Sequence, residues 1–277
     1  RSGSLSSAGS DVVYGSFLQS KMYAKGVACS NCHNPHSAEL KVEGNGLCVQ
    51  CHSPAGNPDF PSLALKDYDD PSHTFHAEDS AGAECKSCHM IERVYMGVDG
   101  RRDHSFRIPR PDLSLQTQAP NACNDCHDDK TARWAADMVA SWFPNSSQRG
   151  PHFSQILGAA RNDLRRQAEA LIGLAEYDQL PAIVRATALD MLVPMANPAM
   201  ATRLEPLLSS PEPLIRVAAI SLQRGAPETE RSARIVALLD DPVKAVRIAA
   251  ARGFLGMRIA YMPDRMNRNL TAAAGEW

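Results

Sequence analysis

The eight cysteines of this 277-residue chain fall in four pairs: Cys29/Cys32, Cys48/Cys51, Cys85/Cys88 and Cys123/Cys126. A histidine follows each pair at once: His33, His52, His89 and His127. Two thiols separated by two residues stand about one helical turn apart, close enough to add to the two vinyl groups of one porphyrin. The adjacent histidine then lies beneath the ring, where its imidazole binds the iron. C-x-x-C-H is the attachment signature of c-type haem. Four copies imply four haems, with every cysteine spent as a thioether and no disulfide. Competing readings explain less. Zinc takes four Cys/His ligands but does not require a histidine after every second cysteine. A thioredoxin-like dithiol occurs once, on a βαβ background that is absent here. A disulfide framework has no use for the histidines.

Nine histidines are present, so five remain after the proximal four: His36, His73, His76, His104 and His152. Five imidazoles for four irons favour bis-histidine ligation, which gives low potentials and leaves no open coordination position. His36 lies three residues after His33 and cannot reach the opposite face of the same haem. It is expected to serve a neighbouring one. His73 and His76 share one side of a helical turn, from which they can serve two haems. His104 sits in Arg101-Arg102-Asp103-His104-Ser105-Phe106, and His152 lies past the haem segment. A lone histidine is ordinarily a surface or hydrogen-bonded residue. Clustering among four motifs makes His36, His73, His76 and His104 the distal candidates, with His152 as the remaining imidazole. Methionine is the other axial ligand type, and Met22, Met90 and Met96 are available. Met90 directly follows His89, cannot swing to the opposite face, and is expected to pack on porphyrin.

The segments that carry these groups differ sharply from the rest of the chain. Residues 1–150 hold all the cysteines and eight of the nine histidines, in stretches rich in Gly, Pro, Asn, Asp and Ser such as Ser53-Pro54-Ala55-Gly56-Asn57-Pro58. Periodicity is weak there, apart from expected helices near Val12–Ala24 and Lys130–Phe143. Aromatic residues are only 6% of the chain, so the porphyrins are expected to form the core, wrapped by turns and short helices. This half has 14 basic and 18 acidic residues, net −4, against 15 and 13 in the remainder, net +2. Haem propionates would make it more anionic still. Arg101, Arg102, Arg107 and Arg110 are natural partners for buried propionates, the alternative being a solvated basic loop.

The second half repeats. Ile183-Val184-Arg185-Ala186-Thr187-Ala188-Leu189 matches Leu214-Ile215-Arg216-Val217-Ala218-Ala219-Ile220 and Ala245-Val246-Arg247-Ile248-Ala249-Ala250-Ala251, with the arginines 31 residues apart at both steps. Pro181, Pro213 and Pro242 precede the copies, where a helix start tolerates proline. Leu207-Leu208 and Leu238-Leu239 repeat at the same interval on the preceding helix. This pattern predicts a helix–turn–helix array in which each unit buries its apolar face on its neighbours. Residues 155–175 are expected to form a degenerate first unit that caps the stack. The expected fold is mainly α: an irregular, haem-packed tetrahaem domain over 1–150, an α-solenoid of helix pairs over 151–260, and a C-terminal tail over 261–277. The array would serve docking or assembly, or simply support its neighbour.

The segment Tyr14-Gly15-Ser16-Phe17-Leu18-Gln19-Ser20-Lys21-Met22-Tyr23, leading into Cys29-Ser30-Asn31-Cys32-His33-Asn34-Pro35-His36-Ser37, resembles bacterial multihaem c-type cytochromes with the doubled C-x-x-C-H motif. So do Cys88-His89-Met90, the run Arg101 to Pro111, and Asn121-Ala122-Cys123. The 31-residue repeats are similar to short bacterial HEAT-like repeats. The resemblance spans about residues 12–256. It implies electron transfer. It also implies the C-terminal portion of a longer family type, whose members carry further haem motifs upstream and tetratricopeptide repeats downstream.

Two functions follow. The first is an electron carrier, alone, with further cytochrome subunits or other redox proteins, or as a homo-polymer whose terminal haems meet. The second is an oxidoreductase acting on a small nitrogen or sulfur compound at a five-coordinate haem. The histidine surplus favours the carrier over the enzyme, and no attachment motif has lysine in place of histidine. A net charge of −2 gives no sign of a nucleic-acid partner. No apolar run approaches the ~20 residues that span a bilayer. Residues 1–10 show no apolar h-region, so a signal peptide is expected to have been removed or to lie on a longer precursor. Covalent haem attachment takes place outside the bacterial cytoplasm, which makes the expected location periplasmic or extracellular.

Overall fold

The computed structural model of the chain describes residues 12–95, 97, 99–257 and 263–277. Met96, an axial candidate above, lies outside the described residues, as do the first eleven residues, Val98 and residues 258–262. The chain is mainly helical and divides into two compact units, Arg1–Pro151 and His152–Trp277.

The first unit is built from short pieces. Its helices are α1 (Val12–Phe17), α2 (Lys21–Ala24), α3 (Cys29–Cys32), α4 (Gly46–Val49), α5 (Pro71–Thr74), α6 (Cys85–His89), α7 (Pro111–Thr117) and α8 (Ala132–Trp142). The helix expected over Val12–Ala24 is two helices. Ser20 is extended (φ −77°, ψ 147°) and its buried hydroxyl accepts the Tyr23 N–H, so it starts α2 as an N-cap instead of continuing α1. The helix expected near Lys130–Phe143 is α8, begun by Thr131, whose side chain accepts the Trp134 N–H. An antiparallel hairpin, β1 (Glu92–Tyr95) with β2 (Asp99–Arg102), follows the third attachment motif, pairing Arg93 with Arg101 and Val94 with Gly100. Only five apolar side chains among the described residues of this unit are buried: Phe17, Pro111, Leu113, Ala135 and Ala136. Little apolar packing is available to hold these turns without something between them.

The arginines considered as propionate partners each have a contact within the protein. Arg102 donates to the Lys86 and Met90 carbonyls and pairs with Glu92. Arg107 pairs with Asp103 and reaches the Gln19 side chain. Arg110 pairs with Asp112 and binds the Gln148 carbonyl. The Arg101 guanidinium lies over the Tyr95 ring.

The second unit comprises α9 (Phe153–Asn162), α10 (Leu164–Glu176), α11 (Ala182–Leu192), α12 (Pro198–Arg203), α13 (Pro213–Leu222), α14 (Glu228–Ile235), α15 (Lys244–Gly253) and α16 (Asp264–Gly275). Helices α9, α10, α11, α13, α15 and α16 pack each on the next in that order. The 31-residue step is visible in side-chain contacts. Arg216 donates to the Ser210 and Pro211 carbonyls, and Arg247 donates to those of Asp241 and Pro242, the same positions one step on. Arg185 binds the Ala175 carbonyl. Each guanidinium thus satisfies carbonyls that a turn leaves unpaired. The repeated leucine pairs lie on 3-10 turns, Glu205–Ser209 and Val236–Asp240, that extend α12 and α14. Leu208, Ile220, Ile235, Leu239, Val246 and Phe254 form one buried cluster. Gly225 has room for no side chain: a Cβ there would overlap the Asn197 backbone nitrogen. Residues 264–275, expected as part of a tail, form a helix. Its Ala273 and Leu270 have an apolar cluster to join, which a solvated tail would not.

Candidate functional site

Each C-x-x-C-H motif folds as a single turn. The amides of His33, His52 and His127 donate to the carbonyls of Cys29, Cys48 and Cys123, each at 2.9 Å, and the third motif is helix α6 itself. One turn puts the two thiols of a motif on the same side, with the histidine at its end.

Cys51 and Cys126 differ from the other anchors in lying past the end of a helix or turn. Cys29 and Cys32 both lie within α3, and Cys85 and Cys88 within α6. Helix α4 instead ends at Val49, so Cys51 lies past it. There its sulfur accepts a hydrogen bond from the Asn57 side chain at 3.2 Å. The fourth motif is a 3-10 turn, Cys123–Asp125, and Cys126 closes it as the C-cap. Cys126 is exposed and Cys123 half-buried, just as Cys29 is exposed and Cys32 half-buried.

All eight thiols, Cys51 and Cys126 included, are free of disulfides. Among the described residues no three or more His, Cys, Asp or Glu side chains converge as a directly bound zinc ion needs. The Cys32, Cys48, Cys88 and Cys123 thiols are not activated as in a dithiol oxidoreductase. Burial pushes Cys88 up to about 11, with Cys123, Cys85 and Cys126 adding to the effect. Burial likewise raises Cys32 and Cys123. The Cys48 and Cys85 thiols lie within hydrogen-bonding reach of each other, which raises Cys48 and lowers Cys85.

Three of the four motif histidines face another imidazole. His33 faces His104, His89 faces His73, and His127 faces His76, each with ring centroids 6.3 Å apart. The interplanar angles are 31°, 3° and 37°. A metal–imidazole bond is about 2.0 Å and a ring centroid lies about 1.1 Å beyond its nitrogen, so two imidazoles that hold one metal ion between them have centroids about 6.2 Å apart. The residues present therefore fit an iron held between each pair.

Hydrogen bonds at the far nitrogen reinforce the fit. Nδ1 of His33 contacts the Ala38 carbonyl (2.7 Å), His104 that of Arg102 (2.9 Å), His89 that of Arg107 (2.8 Å) and His76 that of Thr74 (2.6 Å). A carbonyl partner fixes the proton on Nδ1 and leaves the Nε2 lone pair for a metal, the usual second-layer arrangement of metal-binding histidine. Burial pushes His52, His73 and His89 below the ordinary imidazole range, so they stay neutral and able to donate that lone pair. Among the described residues of this unit, four buried polar atoms have no partner within the protein: His73 Nδ1, Ser80 Oγ, Arg93 Nη2 and Ser105 Oγ. A group carrying carboxylates would supply partners.

The four residues 73–76 serve two pairs. His73 lies on α5, and Phe75 ends that helix in the left-handed region (φ 55°). The reversal turns His76 toward His127 while His73 meets His89. Phe75 stacks on Trp142 at 4.7 Å and 2°, Phe143 meets His73, and Trp134 lies 5.0 Å from His127. Helix α8 and the residue after it thus supply an aromatic wall behind both pairs. His104 follows β2, and its backbone amide is held by Ser16 on α1.

The fourth motif histidine, His52, has Tyr68 edge-on at 6.0 Å, and Tyr68 in turn meets His73 at 5.0 Å. His36 is exposed, its backbone amide bound to the Asn34 side chain. No ring contact joins it to another imidazole among the described residues. His152 is the N-cap of α9 and contacts the Ser154 hydroxyl through Nδ1. Two contributors escaped sequence reasoning. Asn45 links the second and third motifs: its side chain accepts the Cys85 N–H (2.9 Å) and donates to the Ala83 carbonyl (3.0 Å). Gly82 lies against the His76 ring, and a Cβ there would overlap it. Neither carries a spacing signal.

Among the described residues no helix is long and apolar enough to cross a membrane. Comparison with curated proteins and with solved structures returns no match. The family model of the doubled CXXCH motif matches residues 21–57, the stretch that carries the first two attachment turns, so this part of the chain bears the c-type haem-binding signature of multihaem cytochromes.

Proposed function

We propose that the chain is a tetrahaem c-type cytochrome that carries electrons. The common 6.3 Å spacing of His33/His104, His89/His73 and His127/His76 carries this reading. The eight cysteines would anchor four haems, with Cys51 and Cys126 as the second anchor of their motifs, and each imidazole pair would hold one iron from both sides. Bound in this way, haem supplies a one-electron iron couple at low potential. The protein contributes the paired imidazoles, the carbonyls that orient them and the aromatic wall of Trp134, Trp142 and Phe143. His36 is the distal candidate left for His52. The first unit is the haem domain, and the second is a HEAT-like α-solenoid, closed by α16, that serves as a docking scaffold for redox partners or further cytochrome subunits. The site of action is periplasmic or extracellular, where covalent haem attachment occurs.

A second reading has one observation in its favour. His52 is the one motif histidine whose neighbour is a phenol ring, which is compatible with a five-coordinate iron acting on a small nitrogen or sulfur compound. Low-temperature EPR with carbon monoxide titration separates the two. Four low-spin signals untouched by carbon monoxide support the carrier, and a high-spin haem that binds it supports the enzyme. His36→Ala would then turn about one quarter of the haem high-spin if His36 ligates, with His152→Ala as the control that changes nothing. An unchanged H36A spectrum would refute that assignment.

A further inference from the structure

Helix α6 begins without a cap of its own. Glu84 holds the N-cap position yet its side chain makes no capping bond. The first amide of the helix, Cys85 N–H, is satisfied from 40 residues away by the Asn45 side-chain oxygen at 2.9 Å. The Asn45 amide nitrogen donates to the Ala83 carbonyl at 3.0 Å and to the Asp69 carboxylate. Its own backbone carbonyl accepts the Cys48 and Val49 amides at 2.8 and 3.0 Å, which starts the second attachment turn. One residue therefore opens both turns, through its backbone for Cys48 and through its side chain for Cys85. The outcome is visible at the sulfurs, since the Cys48 and Cys85 thiols are within hydrogen-bonding reach of each other.

An asparagine is suited to this task. Its carboxamide accepts and donates at once, so it can meet an N–H, a carbonyl and a carboxylate together. Aspartate would keep the bond from Cys85, lose the donor to Ala83 and face Asp69 with like charge. Leucine would lose all three and leave the Cys85 N–H without a partner, at a cost set by its partial burial.

We propose that Asn45 is a positioning residue that sets the separation of the Cys48 and Cys85 anchors, and with it the electronic contact between the two groups they carry. The inference rests on the tetrahaem reading above. Four attached haems alone do not require it, because the second and third motifs could each bind one without any fixed mutual distance.

The test uses the full holoprotein and its N45D, N45L and N45D/D69N variants. Haem content by pyridine haemochrome and by mass comes first. If the unsubstituted chain lacks haem at Cys48/Cys51 or Cys85/Cys88, the tetrahaem reading falls and the inference with it. With four haems present, two measurements bear on Asn45 itself: the magnetic interaction between neighbouring haems in EPR, and the rate of internal electron redistribution after a fast reductive pulse. N45L is expected to keep four haems and its low-spin signals, while the interaction between one neighbouring pair weakens and redistribution slows by at least about tenfold. N45D is expected to fall between, and N45D/D69N, which restores an amide–carboxylate pair at these positions with reversed polarity, is expected to recover most of the loss. Should N45L fail to mature, N45D and its rescue are read by the same two measurements. Four haems with unchanged interaction and unchanged redistribution in N45D and in any mature N45L would overturn the proposal.

Discussion

His73 and His89 face each other with ring planes only 3° apart, whereas His76 and His127, three residues along the same segment, are tilted by 37°. The two pairs also differ at the outer nitrogen. His76 Nδ1 has the Thr74 carbonyl, while His73 Nδ1 is buried with no partner in the protein. A single turn ended by Phe75 in the left-handed region therefore presents two unlike imidazoles.

This arrangement predicts that the two histidines report on different irons. His73→Ala is expected to turn about one quarter of the haem high-spin and open to carbon monoxide, removing the low-spin EPR signal of the near-parallel pair. His76→Ala is expected to remove a different signal of equal size. If both substitutions abolish the same signal, the segment serves one iron, and the pairing His73/His89 with His76/His127 is wrong.

Gly82 supplies a sharper test of the second pair, since it is not itself a ligand candidate yet lies against His76. A Cβ at position 82 would meet Cδ2 and Cγ of the His76 ring. Gly82→Ala should push that imidazole off its position opposite His127. The expected outcome is one carbon-monoxide-binding haem in about four, with haem content unchanged. A variant with four low-spin signals and no carbon monoxide binding would mean that the 80–83 turn yields before His76 does.

Much of the site was legible because covalent attachment imposes a fixed spacing that survives in sequence. Cys29-x-x-Cys32-His33 and its three copies needed no tertiary information, and the repeat of Arg185, Arg216 and Arg247 announced a helical array through its 31-residue period. The spacing did not report that Cys51 and Cys126 sit past the ends of their turns, because that depends on where each helix stops and not on the motif. Distal partners are another matter. His104 and His33 are 71 positions apart, and nothing local in either predicts their meeting, which depends on the hairpin Glu92–Arg102 and on Ser16 holding the His104 amide. That hairpin was itself invisible. Its strands are four residues each and rich in charge, so they lack the apolar alternation by which a strand is read. The split at Ser20 turns on a cap hydrogen bond, and α16 on burial of Ala273, neither of which periodicity reports.

The second unit depends on a buried ion pair. Arg216 donates to Asp241 through Nε and Nη2 at 2.9 and 3.0 Å, with side chains only 11% and 6% exposed. Arg216 also holds the Ser210 and Pro211 carbonyls, while Asp241 accepts the Val243 N–H. Arg216→Ala would leave a buried carboxylate uncompensated, which costs about 3–5 kcal/mol. Denaturant unfolding followed by far-ultraviolet circular dichroism should show that loss in the helical transition, with the Soret band unaffected at low denaturant. A loss under about 1 kcal/mol would mean that water reaches Asp241 and that the pair contributes no more than a surface bridge.

The last helix is fastened by a pair with a definite pH dependence. Glu276, just past α16, accepts from Arg247 on α15 through both oxygens, at 2.6 and 3.0 Å. The hydrogen bond from Arg247 holds the Glu276 carboxyl below its usual value of 4.5. A group whose pKa is depressed by folding stabilises the fold fully above its unfolded value, and the contribution disappears as pH falls through the folded value. Glu276→Gln removes that linkage. At pH near neutrality, hydrogen exchange in peptides covering residues 264–275 should be slower in the unsubstituted chain than in E276Q, after correction for the intrinsic exchange rate. The difference should begin to shrink below 4.5 and vanish once Glu276 is protonated in the folded state. Arg247 keeps its carbonyl bonds to Asp241 and Pro242 at any pH, so α15 should show no matching change. A difference that persists in strong acid would mean that α16 is held by its apolar face, through Leu270 and Ala273, and not by the charge pair.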